Sequence, residues 1–223
     1  MVNVEAISLY GTPNIGVYIF ANDRFALIPY DAPEKLDRKI AENLSVDAFR
    51  VSVAGTRLVG IFLAGNNNGL VVPRVILDSE LEHLKSLLDV NIVVLEDVRE
   101  TGIGNLVLAN DNGCVASQIL PKSAVDRIAD ALGVECIQMS IGDVPFVGSL
   151  SVATNRGVAL PPLATEEEIK SVEEALKVKA NVLTVNRGKM FLRTGLVANS
   201  KGALVGEDTT GHEMMQLQRI FFQ

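Results

Sequence analysis

One period governs this chain. The segments ANDRFALIP (21–29), GNNNGLVVP (65–73), ANDNGCVAS (109–117), ATNRGVALP (153–161) and ANSKGALVG (198–206) are variants of one another. Their fifth residues, Phe25, Gly69, Gly113, Gly157 and Gly202, stand 44, 44, 44 and 45 residues apart. Self-similarity at this spacing marks one supersecondary unit that buries its apolar face against neighbouring copies. Five copies consume all 223 residues. The expectation is a single domain over 1–223, with units at about 1–45, 46–89, 90–133, 134–178 and 179–223.

Each unit has the same internal order. Unit two begins with DAFRVSVAG (47–55), continues through RLVGIFLAG (57–65), turns at the asparagines and leaves along LVVP (70–73). Short Val-, Ile-, Leu- and Phe-rich runs bounded by Gly, Asn and Pro have the composition of strands. In the following ILDSELEHLKSLLD (76–89), Leu77, Leu81, Leu84 and Leu88 form the stripe of an amphipathic helix. Matching stripes are Leu36, Ile40 and Leu44; Val125, Ile128 and Leu132; Ile169, Val172 and Leu176; and Met214, Leu217 and Phe221. Thr165 with Glu168, and Thr210 with Glu213, have capping-box spacing. The predicted fold class is therefore α/β, built from β-β-β-α units.

An open stack would expose sheet edges at both ends, and neither end carries a polar cap. The chain starts on a strand (Val4 to Tyr10) and finishes on a helix (Glu213 to Phe222), so the last helix can pack beside the first strand as at each internal junction. That phase predicts a closed ring. Gly16, Gly60, Gly104 and Gly148 recur at the same interval of 44 and suggest close backbone approach at an axis. Unit five has Arg193 at that position, with its glycine moved to Gly195. The recurrent Asn/Gly loops are expected to be hairpin turns, because both residues tolerate positive φ.

The inventory of reactive groups is thin. His83 falls off its helix stripe and His212 lies in the first turn of the last helix, which predicts surface positions. Cys114 and Cys136 each sit in an apolar run and suit buried free thiols in a reducing compartment. HExxH, GxSxG, P-loop and CxxC patterns are absent from the sequence. Glu166 to Glu168 read as charge at a helix N-terminus rather than as ligands. No catalytic residue, metal or cofactor is expected. Charges at Glu96 to Glu100, Val185 to Lys189 and Arg57 occupy matching places and serve either ion pairs between units or a partner. A formal charge of −7 argues against broad attachment to nucleic acid or anionic membrane. With no run of 18 apolar residues and no basic, leader-like N-terminus, a cytoplasmic protein is expected.

Several motifs, distributed in order over all units, carry a resemblance. They are NIGV (14–17), SVAGTRLVGI (52–61), GNNNGLVVP, DSELEHL (78–84), Gly104–Asn105, VGS (147–149), TVNRG (184–188) and GEDTT (206–210). Together they make the chain similar to the translation initiation factor 6 family in its archaeal form. The resemblance implies a pentein fold, a closed ring of five pseudosymmetric units. It also implies a monomeric, non-enzymatic factor that binds the large ribosomal subunit on its intersubunit face. Such a factor prevents premature association with the small subunit, with a further role in subunit maturation. The implied partner is mainly a ribosomal protein, with rRNA at the rim. The implied ribosome-binding residues are Arg57, Gly60, Ile61, Gly104, Asn105, Val147, Gly148 and Ser149. The alternative is a guanidine-modifying pentein enzyme with a cysteine nucleophile, although unit five contains no cysteine.

Overall fold

The computed structural model describes residues 3–223, so Met1 and Val2 of the first unit lie outside the described residues. The chain opens with β1 (Asn3–Ile7), followed by β2 (Phe20–Ala21), β3 (Phe25–Pro29), helix α1 (Lys35–Leu44) and β4 (Asp47–Val51). The next repeat adds a short turn, α2 (Val59–Phe62), then β5 (Ala64–Gly65), β6 (Gly69–Pro73), α3 (Asp78–Leu87) and β7 (Asn91–Leu95). Unit three supplies β8 (Val107–Ala109), β9 (Cys114–Ser117), α4 (Lys122–Leu132) and, beyond it, β10 (Cys136–Met139). Unit four supplies α5 (Val147–Leu150), β11 (Val152–Ala153), β12 (Val158–Leu160), α6 (Glu166–Leu176) and then β13 (Ala180–Val182). The chain ends with α7 (Leu192–Gly195), β14 (Leu196–Ala198), β15 (Gly202–Gly206) and α8 (Gly211–Phe222).

These strands form five separate three-stranded sheets. In each, a hairpin through the polar loop makes an antiparallel pair, as in β5–β6. The central strand then pairs in parallel with the opening strand of the next unit, as Gly69 to Pro73 pair with Asn91 to Leu95. Parallel neighbours need a long crossover, and the helix provides it. Central strands such as FALIP and GLVVP are buried at every residue, which is why they read as continuous apolar runs. Five apolar clusters result, each joining helix and strand side chains.

Closure follows the same rule. β1 pairs in parallel with β15, Asn3 opposite Gly202 through Ile7 opposite Gly206, so the first strand completes the last sheet. Val4 packs into the cluster of Leu217, Ile220 and Phe221 from α8, the helix–strand junction that the sequence implied. Among the described residues each sheet stays open, and hydrogen-bonded ladders do not run round the ring. The ring is joined instead by short turns that touch in cyclic order: Ile15–Val17, α2, Ile103–Asn105, α5, α7 and back to Ile15–Val17.

Three expectations change. RLVGIFLAG is not a strand over its length; it is one helical turn followed by a two-residue strand. Leu77 is exposed ahead of α3, whereas Leu84 and Leu88 are buried. Third, asparagines in the polar loops are not among the residues with positive φ. Left-handed backbone occurs one turn earlier in the unit, at Tyr10–Gly11, Ala54–Gly55, Gly142–Asp143 and Asn186–Gly188. A helix glutamate holds three of these tight turns. Glu80 accepts from the N–H groups of Ala54 and Gly55 at 2.7 and 2.9 Å. Glu213 does the same for Gly188 at 2.9 Å, and Glu168 for Gly142 at 2.9 Å. Glu168 and Glu213 also close the capping boxes with Thr165 and Thr210.

Candidate functional site at the glycine end of the axis

The two ends of the ring axis are chemically different. At one end the polar loops form a hydrogen-bonded circuit. Asn22 Nδ2 donates to Asn66 O (2.8 Å), Asn66 to Asn110 O (3.0 Å) and Asn110 to Thr154 O (3.1 Å). Asn199 donates to Asn22 O (3.0 Å) and links unit five to unit one, while unit four, with Thr154 at that place, reaches unit five through Arg156 Nη1 donating to Ser200 O at 3.3 Å. The same amides reach the last carbonyls of neighbouring helices, Asn66 to Leu132, Asn110 to Leu176 and Asn199 to Leu44. Meanwhile each Oδ1 closes its own loop, as Asn66 does for the N–H of Asn68 and Gly69. These asparagines act through their side chains, satisfying buried backbone groups that would otherwise be costly. A second tier faces the mouth: Asn155 Nδ2 donates to both Asp23 (2.9 Å) and Asp111 (2.6 Å), while Ser200 Oγ donates to Asp23 (2.9 Å).

At the other end, the five axial turns are closely packed. A Cβ on Gly60 would lie 2.0 Å from the Gly16 carbonyl oxygen. One on Gly104 would lie 2.2 Å from that of Gly60, and one on Gly148 2.3 Å from that of Gly104. No side chain fits at such separations, so these glycines set the diameter of the ring. A depression of about 40 Å³ opens here, lined by Gly16, Val17, Gly60, Ile61, Asn105, Ser149, Arg193 and Thr194.

Four of the eight residues selected from sequence therefore meet in this depression: Gly60, Ile61, Asn105 and Ser149. Gly104, Val147 and Gly148 are buried beneath it. Ser149 is itself nearly buried, its hydroxyl donating to Phe146 O at 3.0 Å. Arg57 is exposed on the loop entering α2. It forms an ion pair with Asp31 of the preceding unit and stacks over Tyr10, 4.9 Å from the ring centroid. Tyr10 in turn donates to Asp31 at 2.7 Å. That hydrogen bond, opposed by partial burial and reinforced by Arg57, holds the Asp31 carboxyl below its usual range. Burial first, then the bond to Asp31, pushes the Tyr10 hydroxyl upward. Of the two readings of Arg57, the inter-unit ion pair is present.

Sequence reasoning missed the apolar rim. Phe146 and Phe191, the residues just before α5 and α7, are 43% and 44% exposed, and Met190 is 43% exposed. Their signal was positional: Phe146 and Phe191 hold the place that Asn14, Leu58 and Gly102 hold in other units. Large apolar side chains left outside a well-packed ring are candidates for contact with another macromolecule.

Reactive groups lie elsewhere. Cys114 and Cys136 face each other across the parallel β9–β10 pair as free thiols, and burial pushes Cys114 well up from the ordinary thiol range. Such a thiol carries little thiolate character. His83 lies on the outer face of α3, its Nε2 3.1 Å from Arg50 O, and His212 is exposed. Among the described residues, the axial cavities are lined by neither cysteine nor histidine.

Five α/β units closed about an axis, with a glycine constriction at one end and an asparagine circuit at the other, define a pentein-type ring. The chain belongs to the eIF-6 family, whose model matches residues 4–220. It is also similar to proteins named translation initiation factor 6 from three archaea. Identity is 57% over 44 residues with that of Pyrobaculum aerophilum, covering 20% of each chain. With the Sulfolobus acidocaldarius protein it is 56% over 45 residues, again 20% of each. With the Aeropyrum pernix protein it is 62% over 42 residues, 19% of this chain and 18% of that one. The matched stretches thus span about a fifth of those relatives' length. Among the described residues no helix is long and apolar enough to cross a membrane.

Proposed function

We propose that this protein is a cytoplasmic translation factor that binds the large ribosomal subunit on its intersubunit face and keeps the small subunit from joining. The observation that carries the reading is the eIF-6 family match over residues 4–220. Under this reading the glycine end is the contact face, with Arg57, Ile61 and Asn105 as accessible members and Phe146, Met190 and Phe191 as apolar anchors. Gly60, Gly104, Val147, Gly148 and Ser149 hold that face rigid rather than touching the partner. A preorganised surface loses little entropy on docking, which suits a factor that works by occupying space. The net charge of −7 favours a basic ribosomal protein as the main contact, with rRNA at the rim. The protein acts as a monomer, without catalysis, and a role in large-subunit maturation is compatible with the same contact.

Co-sedimentation with separated subunits at two salt concentrations tests the proposal. The expected result is stoichiometric recovery with large subunits, little with small ones, and a shallow salt slope because few phosphates are contacted. Subunits that associate equally well with saturating protein present would refute it.

A further inference from the structure

We propose that the axial cavity is a binding site for one small monovalent anion of halide size, held by Arg193. The inference rests on the ring's geometry and charges and is independent of the ribosomal role.

Four of the five axial positions are glycines packed on the carbonyl of the preceding unit; the fifth is Arg193. Its backbone carbonyl meets Gly16 just as the glycine carbonyls meet one another. Its side chain has therefore been added to a ring that closes without it. That side chain crosses the axis, and Nη2 donates to Leu63 O of unit two at 2.9 Å. Nε is buried with no protein partner, and among the described residues no carboxylate pairs with the guanidinium. The residue keeps some accessible surface. Arg193 lines both the depression at the glycine end and a cavity of about 50 Å³ behind it.

Beside Arg193, that cavity is walled by residues such as Phe20, Val107, Val152 and Leu196, and polar atoms make up the larger part of its exposed lining. Burial lowers the guanidinium pKa to about 10, so its positive charge persists at neutral pH. A largely buried charge whose Nε–H has no partner calls for an acceptor, and a counter-charge beside it lowers its cost further. Water supplies only the first; an anion supplies both. The volume admits a halide or a few waters and excludes a solvated phosphate. The far mouth does not provide the counter-charge. Asp23 and Asp111 are there, already engaged by Asn67, Asn155 and Ser200. Their charge also repels an anion approaching from that side, so loading occurs at the glycine end, past Arg193.

The test replaces chloride by bromide in crystals of the full chain and reads anomalous scattering at the bromine edge. A peak is expected in the axial cavity within hydrogen-bonding reach of Arg193 Nε. In solution, the melting temperature should rise saturably by a few degrees with chloride, against gluconate at equal ionic strength, because a ligand that binds only the folded state stabilises it. Arg193→Gly, which gives unit five the residue found in the other four, should fold and lose both the peak and the chloride response. Arg193→Met should lose them while keeping the side-chain volume. Water alone in the bromide crystals, a melting temperature indifferent to chloride, or an undiminished response in both variants would overturn the assignment.

Discussion

The two ends of this ring are built from the same repeat and use it in opposite ways. At the asparagine end, side-chain polar atoms are turned inward and satisfied from unit to unit, so that mouth presents little that is unmet. At the glycine end, side chains are removed to bring backbones together, and the groups left over point outward or into the axis: Ile61, Asn105, Phe146, Phe191 and Arg193. The difference teaches that hydrogen-bonded closure and close backbone packing have been separated along the axis. The end that closes the ring by hydrogen bonds is poorly suited to a partner. The end that closes it by close packing is free to vary at its rim.

Substitutions can break this contrast or sharpen it. The largest loss is expected at Asn66→Ala, which strips the Asn110 and Leu132 carbonyls and the Gly69 N–H of their partner. At about 1–3 kcal/mol for each buried group left unsatisfied, a total near 4 kcal/mol should appear in denaturant unfolding. Gly104→Val drives a side chain onto the Gly60 carbonyl and should cost roughly 3 kcal/mol by the same measurement. A change under about 1 kcal/mol would mean that the axial turns are loosely packed.

Phe191→Asp should leave unfolding almost untouched, since the ring is half exposed. Under the proposed function it should weaken binding to large subunits by roughly 100-fold, the loss expected of an apolar anchor. The same substitution at Asn68, on the opposite end, should do nothing to binding, and an equal loss there would erase the distinction between the ends.

Glu213→Gln is a smaller and pH-dependent test. Burial opposes ionisation of Glu213, yet hydrogen bonds from Thr210, Gly188 and Thr184 outweigh it and lower its pKa below 4.5. A lowered folded pKa contributes stability that is complete above the unfolded value and lost as pH falls through the folded one. The wild type should thus exceed the variant by about 1–2 kcal/mol at neutral pH. That gap should close below about pH 4.5 in acid titrations followed by circular dichroism. Arg57→Ala should have the least effect on melting, because its ion pair with Asp31 lies at the surface.

Much of this architecture was legible. The interval of 44 exposed the five units, the leucine stripes exposed the helices, and Thr–x–x–Glu exposed two helix starts that the structure caps as expected. The recurrent Asn/Gly loops are hairpins as the sequence implies, but the asparagines are there for their side chains and not for positive φ. Asn22, Asn66, Asn110 and Asn199 stand at one fixed place in the repeat. A turn that needed only a tolerant backbone would not demand one side chain at one place, so the amide circuit had a signal. RLVGIFLAG was misleading for a different reason. Its apolar content suits a strand, but Val59–Phe62 form a helical turn packed between the turns of Gly16 and Gly104. The candidate site was half legible: the glycine ladder located the axis, but nothing local separated Ile61 and Asn105, which stay accessible, from Val147 and Gly148, which do not.

The sequence alone determined the period, the helix stripes and the phase that lets head meet tail, because these depend on residues within one repeat or on the count between repeats. Tertiary structure decided which strand each sheet borrows, which end of the axis is spent on itself and where the Arg193 side chain goes. Those outcomes depend on which copies become neighbours after closure. Five nearly equivalent units carry no local mark of that choice.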